Sequence, residues 1–214
     1  MERKKTTRNK EATKRKILDA TARIILRDGF NAVGINAVAK ESGVDKVMIY
    51  RYFDDITGLL KAFATEKDYW LVVFNDNPQD LNKASVEDLK NISIGLFTGL
   101  LKNLMQNKEM QELILWELID KNEISAKTTA LREEQGIVIM KQFENIFKAK
   151  GIDLAAFSAV MVAGIYFLVL RSKTVDVFNS VPLNKPEGWK RIEKVVEYTC
   201  GLMFDELIKK SKKK

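Results

Sequence analysis

Cations and aromatic hydroxyls cluster in one short stretch of this 214-residue chain. Lys46 and Arg51 are the only cations in residues 41–60, and Tyr50 and Tyr52 lie beside them. Lysine and arginine pair with phosphate, and arginine also donates hydrogen bonds to the O6 and N7 atoms of guanine. These residue types, placed together on one short helix, indicate contact with a nucleic acid.

The residues before this stretch predict the turn that would present it. Ile35, Val38 and Ala39 have the i, i+3, i+4 spacing of one buried helical face. Gly43 can adopt the left-handed conformation that ends a helix, and Asp45 can cap the next helix with its carboxylate. The pattern predicts a helix-turn-helix, whose second helix enters the major groove of DNA.

Four sequence features with the spacing of one known family accompany this motif. They are Gly29-Phe30, Val38-Ala39-Lys40-Glu41-Ser42-Gly43-Val44, Tyr50-Arg51-Tyr52-Phe53 and Leu59-Leu60. Over roughly residues 11–65 the chain resembles the TetR (tetracycline-repressor-like) family of bacterial transcriptional regulators. The resemblance implies an all-helical homodimer that binds a palindromic DNA operator and carries a variable C-terminal domain for a small effector.

The resemblance also assigns roles to individual residues. It implies phosphate contact for Lys46, Tyr50 and Tyr52, and it places Val47 and Met48 where the family often touches bases. The two tyrosines could instead be half-buried packing residues. Ile56 stands where the family commonly has a lysine that meets phosphate, so the chain lacks that anchor. The expected DNA-contacting residues are Lys46, Val47, Met48, Tyr50, Arg51, Tyr52 and Asn36.

Helical periodicity continues along the rest of the chain, without strand-like alternation. We expect an all-α fold of about nine helices. The expected domains are a three-helix DNA-binding domain with a basic N-terminal arm at 1–55, an effector-binding and dimerisation domain at 56–210, and a basic tail at 211–214. The predicted helices are about 10–27, 35–42, 46–52, 56–75, 86–106, 109–121, 123–150, 154–178 and 187–210.

The net charge of +7 is concentrated at the two ends of the chain. Residues 1–16 hold eight Lys and Arg against two Glu, and residues 209–214 hold five Lys. The N-terminal arm fits phosphate or minor-groove contact, but a disordered solubilising terminus has the same composition. The C-terminal run is interpreted as a solubilising tail.

Residues 154–170 form a run of 17 residues without a charge. This length is close to the minimum for a membrane span. Three interpretations remain: a buried dimer or core helix, an interior helix without a dimer role, and a membrane segment. Small residues recur every four positions at Ala155, Ala159 and Ala163, a spacing that lets two helices approach closely. Since the resemblance implies a bundle of the last two helices with their mates, we expect a homodimer through 154–178 and 187–210, and no membrane.

Aromatic and apolar residues of the middle region predict an apolar effector pocket, although an ordinary core has the same composition. The effector would be a small, largely apolar molecule. The expected pocket residues are Phe97, Leu100, Trp116, Met140, Phe143 and Tyr166.

Enzyme chemistry is disfavoured by composition. The chain has no histidine, which excludes Ser-His-Asp triads and histidine-ligated metal sites. Cys200 is the only cysteine and lies among apolar residues, so we expect a core thiol in a reducing, cytoplasmic setting. No metal and no cofactor is expected.

The sequence therefore predicts a transcriptional regulator. By resemblance it would be a repressor that its effector releases from DNA. The alternative is a ligand-independent architectural or partner-binding protein on the same fold.

Overall fold

The computed structural model describes residues 2–76, 84–120, 123–148, 151 and 153–211. Helices dominate this part of the chain, which confirms the all-α prediction. Ten α-helices are present in it, together with a short 3-10 turn at Phe30–Ala32 and a two-stranded hairpin. The helices are α1 Glu2–Asp28, α2 Ile35–Ser42, α3 Lys46–Phe53, α4 Ile56–Lys67, α5 Tyr69–Asp76, α6 Val86–Gln106, α7 Lys108–Ile119, α8 Glu123–Lys148, α9 Leu154–Arg171 and α10 Pro186–Ser211.

The extra helix arises because the segment predicted as one helix at 56–75 breaks at Asp68. This residue has extended backbone angles, φ −73° and ψ 124°, and ends α4. Its Oδ1 atom accepts hydrogen bonds from the amides of Trp70 and Leu71, at 2.9 and 3.3 Å. Asp68 therefore ends one helix and caps the next.

The apolar helix α9 ends at Arg171, earlier than the predicted residue 178. Strands β1 (Val177–Phe178) and β2 (Val181–Pro182) follow and pair antiparallel. Asn179 and Ser180 join them with φ of 46° and 61°, both positive as in a two-residue type I′ hairpin turn. Strands of two residues are too short for an alternating pattern to reveal them. At the other end of the chain, α1 begins at Glu2, so the basic arm is helical from that residue.

The chain forms two compact units, which we call unit 1 and unit 2. Unit 1 comprises Met1–Val72 and Asn107–Arg132, and unit 2 comprises Val73–Gln106 and Glu133–Lys214. The N-terminal helices thus share a unit with α7, a helix from the middle of the chain. The domain boundary after residue 55 stays a prediction.

Two clusters of buried apolar side chains form the core of unit 1. The first joins α1, α2, α3 and α4, and it fixes α3 through Ile49 and Phe53. The second joins α1, the 3-10 turn, α4 and α7. Their buried members are Ile17, Ile24, Val38, Ile49, Phe53 and Leu59 in the first, and Ala22, Ile25, Phe30, Leu60, Phe63, Ala64, Leu113 and Trp116 in the second.

A buried group of charges also holds unit 1 together. The Nε atom of Arg132 lies 2.6 Å from Oδ2 of Asp68, and its Nη1 atom lies 2.8 Å from Oε2 of Glu117. The side chain of Asp68 is completely buried, and that of Glu117 is 7% exposed. One guanidinium therefore serves two buried carboxylates and ties α8 to α7 and to the break between α4 and α5.

Unit 2 contains α6, α9, α10, the hairpin and the part of α8 that begins at Glu133. Leu89 of α6 and Phe204 of α10 are buried against each other. An ion pair from Lys90 to Asp205, 2.9 Å between Nζ and Oδ1, also joins these two helices. The hairpin is attached to α10, because the indole Nε1 of Trp189 donates a hydrogen bond to the carbonyl of Leu183 at 2.7 Å.

We predict that Arg132→Met destabilises the protein by about 3–5 kcal/mol, because it removes the guanidinium that two buried carboxylates share. Urea unfolding at one fixed protein concentration measures the change. Arg15→Met is the control, since the Arg15 side chain is 57% exposed in its pairs with Asp19 and Glu66 and its loss should cost less than about 1 kcal/mol. Equal losses in the two variants would contradict the buried group's role.

Candidate nucleic-acid interface

The turn between α2 and α3 has the geometry that the sequence predicts. Gly43 ends α2 in the left-handed region, at φ 66° and ψ 20°, and its amide donates to the carbonyl of Ala39 at 3.0 Å. The Oδ1 atom of Asp45 accepts a hydrogen bond from the amide of Val47 at 2.8 Å. Both predicted helix caps are confirmed. They set the direction in which α3 leaves the turn.

The eight residues of α3 divide into a buried and an exposed face. Ile49 and Phe53 are buried. Lys46 and Arg51 are exposed, and so are Val47 and Tyr50, at 70% and 50%. The exposed face thus combines two cations, an aromatic hydroxyl and one aliphatic side chain.

The remaining predicted DNA-contacting residues lie in other environments. Met48 is only partly exposed. Tyr52 is partly buried and packs against the first core cluster, which matches the packing alternative for this tyrosine. Asn36 is exposed on α2. Of the predicted set, Lys46, Val47, Tyr50 and Arg51 share the open face of α3.

Three arginines of α1 and the two cations of α3 differ in their protein partners. Arg15, Arg23 and Arg27 of α1 are all held in ion pairs with carboxylates. Within the described residues, Lys46 and Arg51 take part in no ion pair. The charges on α3 are therefore available to a negatively charged partner.

Glu41, inside the turn motif, anchors α2 to α1. Its two carboxylate oxygens accept from Nε of Arg23 at 2.7 Å and from Nη1 of Arg27 at 3.1 Å. Hydrogen bonds from Arg23 and then from Arg27 lower the pKa of the Glu41 carboxyl below its ordinary value of 4.5. No short-range pattern in the sequence marks this contact, because its partners lie 14 and 18 residues away.

The C-terminal end of α3 is bounded by a strained turn that sequence analysis missed. Asp54 has φ 66° and ψ −58°, and the amide of Asp55 donates to the carbonyl of Phe53 at 2.8 Å. These values describe the rare γ-turn with positive φ, which is strained in residues other than glycine. Oδ1 of Asp55 then accepts from the amide of Gly58 at 2.7 Å and caps α4.

Gly58 makes this junction possible, since a Cβ atom at that position would lie 1.9 Å from the carbonyl oxygen of Phe53. The adjacent acids Asp54 and Asp55, directly before a predicted helix, are the feature of the sequence that could have indicated this cap. Ile56, at the position of the missing lysine, is partly buried against both core clusters of unit 1. This position of the junction therefore contributes packing.

The residues predicted for an effector pocket are divided between the two units. Phe97 and Leu100 are buried in unit 2, where the ring of Phe97 meets that of Phe157 edge to face, 6.2 Å between centroids. Met140 and Tyr166 are partly buried, and the side chain of Phe143 lies outside the described residues.

Trp116 lies in unit 1, where its ring stacks on that of Phe30 with 4.7 Å between centroids. Its buried Nε1 atom has no hydrogen-bond partner among the residues that the structure describes. The stack attaches α7 to the turn that precedes α2. In this structure Trp116 packs as a core residue of unit 1.

A groove of about 380 Å³ lies along α6 and α10 in unit 2. None of the predicted pocket residues lines it, and four of its eight lining residues are charged. They are Lys90, Ile94, Lys194, Glu197, Tyr198, Gly201, Leu202 and Asp205. Its lining differs from the apolar pocket that the sequence predicts.

Potential metal ligands and nucleophiles do not form a site in the part of the chain that the structure describes. No group of three or more Cys, Asp or Glu side chains there could hold a metal ion. Burial raises the pKa of the Cys200 thiol to about 11. At neutral pH this thiol is protonated and therefore a poor nucleophile.

We predict that Glu41→Gln lowers stability at pH 7 and has less effect in acid. A carboxyl whose pKa is lowered in the folded state adds stability that is present above its unfolded pKa and is lost as the pH falls below about 4.5. Urea unfolding of both proteins between pH 7 and pH 3 tests this. Glu134→Gln, at an exposed glutamate of α8, should show no such convergence, and a difference independent of pH would contradict the assignment.

We also predict that Gly58→Ala lowers the free energy of unfolding by about 1–3 kcal/mol or more, because the new methyl group collides with backbone. Thermal or urea unfolding measures the loss. Gly95→Ala in α6 is the matched control, since Gly95 is exposed with no atom within 4 Å of the new Cβ. That substitution should stabilise by about 0.5–1 kcal/mol, and similar effects at both positions would exclude the close approach.

Comparison with known proteins agrees with this geometry. Residues 17–63 match the sequence model of the family described as bacterial regulatory proteins, tetR family. The comparison with curated proteins gave no match. A TetR family transcription regulator from Marinobacter aquaeolei VT8 superposes with a TM-score of 0.60 at 18% identity, covering 93% of this chain and 97% of that one.

A proposed fatty acid metabolism regulator from Clostridium perfringens superposes equally well, with a TM-score of 0.60 at 18% identity. The match covers 85% of this chain and 96% of that one. At this identity the two structures show a shared fold. Residues 17–63, which contain the confirmed turn geometry, therefore match the DNA-binding part of the tetR family of bacterial regulatory proteins, and the chain as a whole shares the fold of these two regulators.

Proposed function

We propose that this protein is a cytoplasmic homodimer that binds a palindromic operator and represses transcription until a small, largely apolar effector releases it. The observation that carries the DNA-binding part is the open face of α3, where Lys46 and Arg51 are exposed and take part in no described ion pair. Exposed cations without a protein partner can pair with phosphate, and their place on the second helix of a helix-turn-helix is suited to DNA.

Each recognition helix would lie in the major groove, with the two half-sites about 34–36 Å apart. Lys46, at the start of α3, would meet a backbone phosphate, and the hydroxyl of Tyr50 can donate to another. Arg51 can donate two hydrogen bonds to the O6 and N7 atoms of guanine. Asn36, exposed on α2, would add a polar contact to the backbone.

A homodimer is supported by the surface of unit 2. Only 11% of α9 is buried, although this helix is apolar and long enough to cross a membrane by length and composition. Val160 and Phe167 are 72% and 51% exposed. Apart from Arg171 at the C-terminal end of the helix, the exposed residues form one continuous stripe of mostly small side chains: Ala155, Ala156, Ala159, Val160, Ala163, Gly164 and Phe167.

A second copy of the chain fits this stripe better than lipid does. Small side chains let two helices approach closely, and α10 adds the exposed apolar residues Val195, Tyr198 and Leu202. Of these three, Val195 is 62% exposed. The ion pairs Lys90–Asp205 and Lys102–Glu193 belong to helices of the same unit, and charges are costly in a bilayer.

We expect light scattering to give about twice the chain mass of 24.4 kDa in solution. Val160→Glu should give the monomer mass, because it places a charge in the apolar stripe. Val177→Glu, at an exposed valine of the hairpin, serves as the control and should remain dimeric. A monomeric wild-type protein would contradict the proposed interface.

An effector would act by binding one arrangement of the dimer more tightly than the other, which shifts the population away from the DNA-competent form. The buried aromatic contact between Phe97 and Phe157 supports an apolar site in unit 2.

Two observations favour the alternative, a ligand-independent architectural or partner-binding protein. Trp116 packs in the core of unit 1, and the groove on α6 and α10 is lined by charges.

We predict that Arg51→Ala and Tyr50→Ala each weaken DNA binding by about 1–3 kcal/mol per half-site, with an unchanged melting temperature, because both side chains are exposed. Lys46→Ala should reduce the slope of log affinity against log salt by about 1 for each phosphate that is no longer neutralised. Fluorescence anisotropy at two salt concentrations measures both effects.

Lys190→Ala, at an exposed lysine of α10, is the control and should bind DNA as the wild type does. Wild-type affinity in the Arg51 and Tyr50 variants would remove those residues from the interface. Release of bound DNA by an apolar compound would support the effector, and DNA binding that no compound alters would favour the architectural alternative.

A further inference from the structure

Val47 is an unusual residue on the open face of α3. Its side chain is 70% exposed, whereas the neighbouring Met48 is partly buried. Its amide is fixed by the 2.8 Å hydrogen bond to Asp45. A β-branched side chain on a helix has one strongly preferred rotamer. The isopropyl group of Val47 is therefore held in one position at the start of the recognition helix.

The surroundings of Val47 indicate which surface it meets. Lys46 precedes it, and Tyr50 and Arg51 follow at i+3 and i+4, on the same face of the helix. The two cations that flank the valine favour contact with phosphate. An apolar protein surface would leave the two cations unpaired.

The major groove between two phosphate backbones offers one apolar group, the 5-methyl group of thymine. The valine side chain has no hydrogen-bonding atom, so it can distinguish base pairs only through such contact. We propose that Val47 contacts the 5-methyl group of a thymine in each operator half-site and selects thymine at that position. This proposal rests on the proposed function, in which α3 binds specific DNA.

The test starts with selection of bound sequences from a random DNA library, using the full-length protein. Each thymine of the selected half-site is then replaced by deoxyuridine, which removes the methyl group and nothing else. At one position we expect a loss of about fourfold in affinity for one half-site and about fifteenfold for both, the value of one buried methyl group.

Val47→Ala should cause a similar loss with the thymine operator and should abolish the difference between thymine and deoxyuridine at that position, because contacting groups are not additive. Val177→Ala, at an exposed valine outside the DNA-binding unit, should retain the wild-type response. Met48→Ala should also retain the response to the methyl group, which separates the two neighbouring apolar residues.

The outcomes distinguish this inference from the function on which it rests. Selection without any consensus sequence overturns the proposed function. A clear consensus that lacks a deoxyuridine-sensitive thymine, or a Val47→Ala variant that still responds to the methyl group, overturns the role of Val47 and leaves specific DNA binding intact. Loss of a protein partner in Val47→Ala with unchanged DNA affinity would also overturn it.

Discussion

The recognition helix depends on the two turns that bound it. It has eight residues and buries only Ile49 and Phe53, and a helix of that length is unstable alone in water. The left-handed Gly43 and the Asp45 cap fix where it begins, and the close approach of Gly58 to the Phe53 carbonyl fixes where it ends. Backbone geometry therefore sets the direction of the exposed side chains of α3 that we propose contact DNA, while Ile49 and Phe53 pack on the opposite face.

These turns belong to a larger arrangement within unit 1. Helix α4 is 12 residues long, about 18 Å, and joins the end of α3 to the break at Asp68. At that break Arg132 pairs with both Asp68 and Glu117. A buried ion pair contributes little net stability compared with apolar packing, but removal of one partner is costly, so it favours a single arrangement. Unit 1 thus holds α4 at both ends by polar contacts.

The parts of the structure that sequence could predict are those that neighbouring residues determine. The caps at Gly43 and Asp45 and the buried face of α3 follow from residues a few positions apart. The break at Asp68, the anchoring of Glu41 and the place of Trp116 depend on distant partners, and periodicity does not contain them. The hairpin depends on positive φ at Asn179 and Ser180, within strands of two residues each. Aromatic content could not distinguish a pocket from a core, and Trp116 is in a core.

The open face of α3 in unit 1 supports the proposed DNA contact, and the apolar stripe of unit 2 supports the proposed dimer that would read two half-sites. The most direct test is anisotropy binding of the purified protein to DNA from upstream of its own gene, against a scrambled sequence, at 50 and 200 mM salt. With six to ten phosphate contacts, affinity should fall by roughly 10³–10⁵ between these concentrations. Our account predicts preference for the upstream DNA at the higher salt. Equal binding to both sequences, or no binding to either, would contradict it.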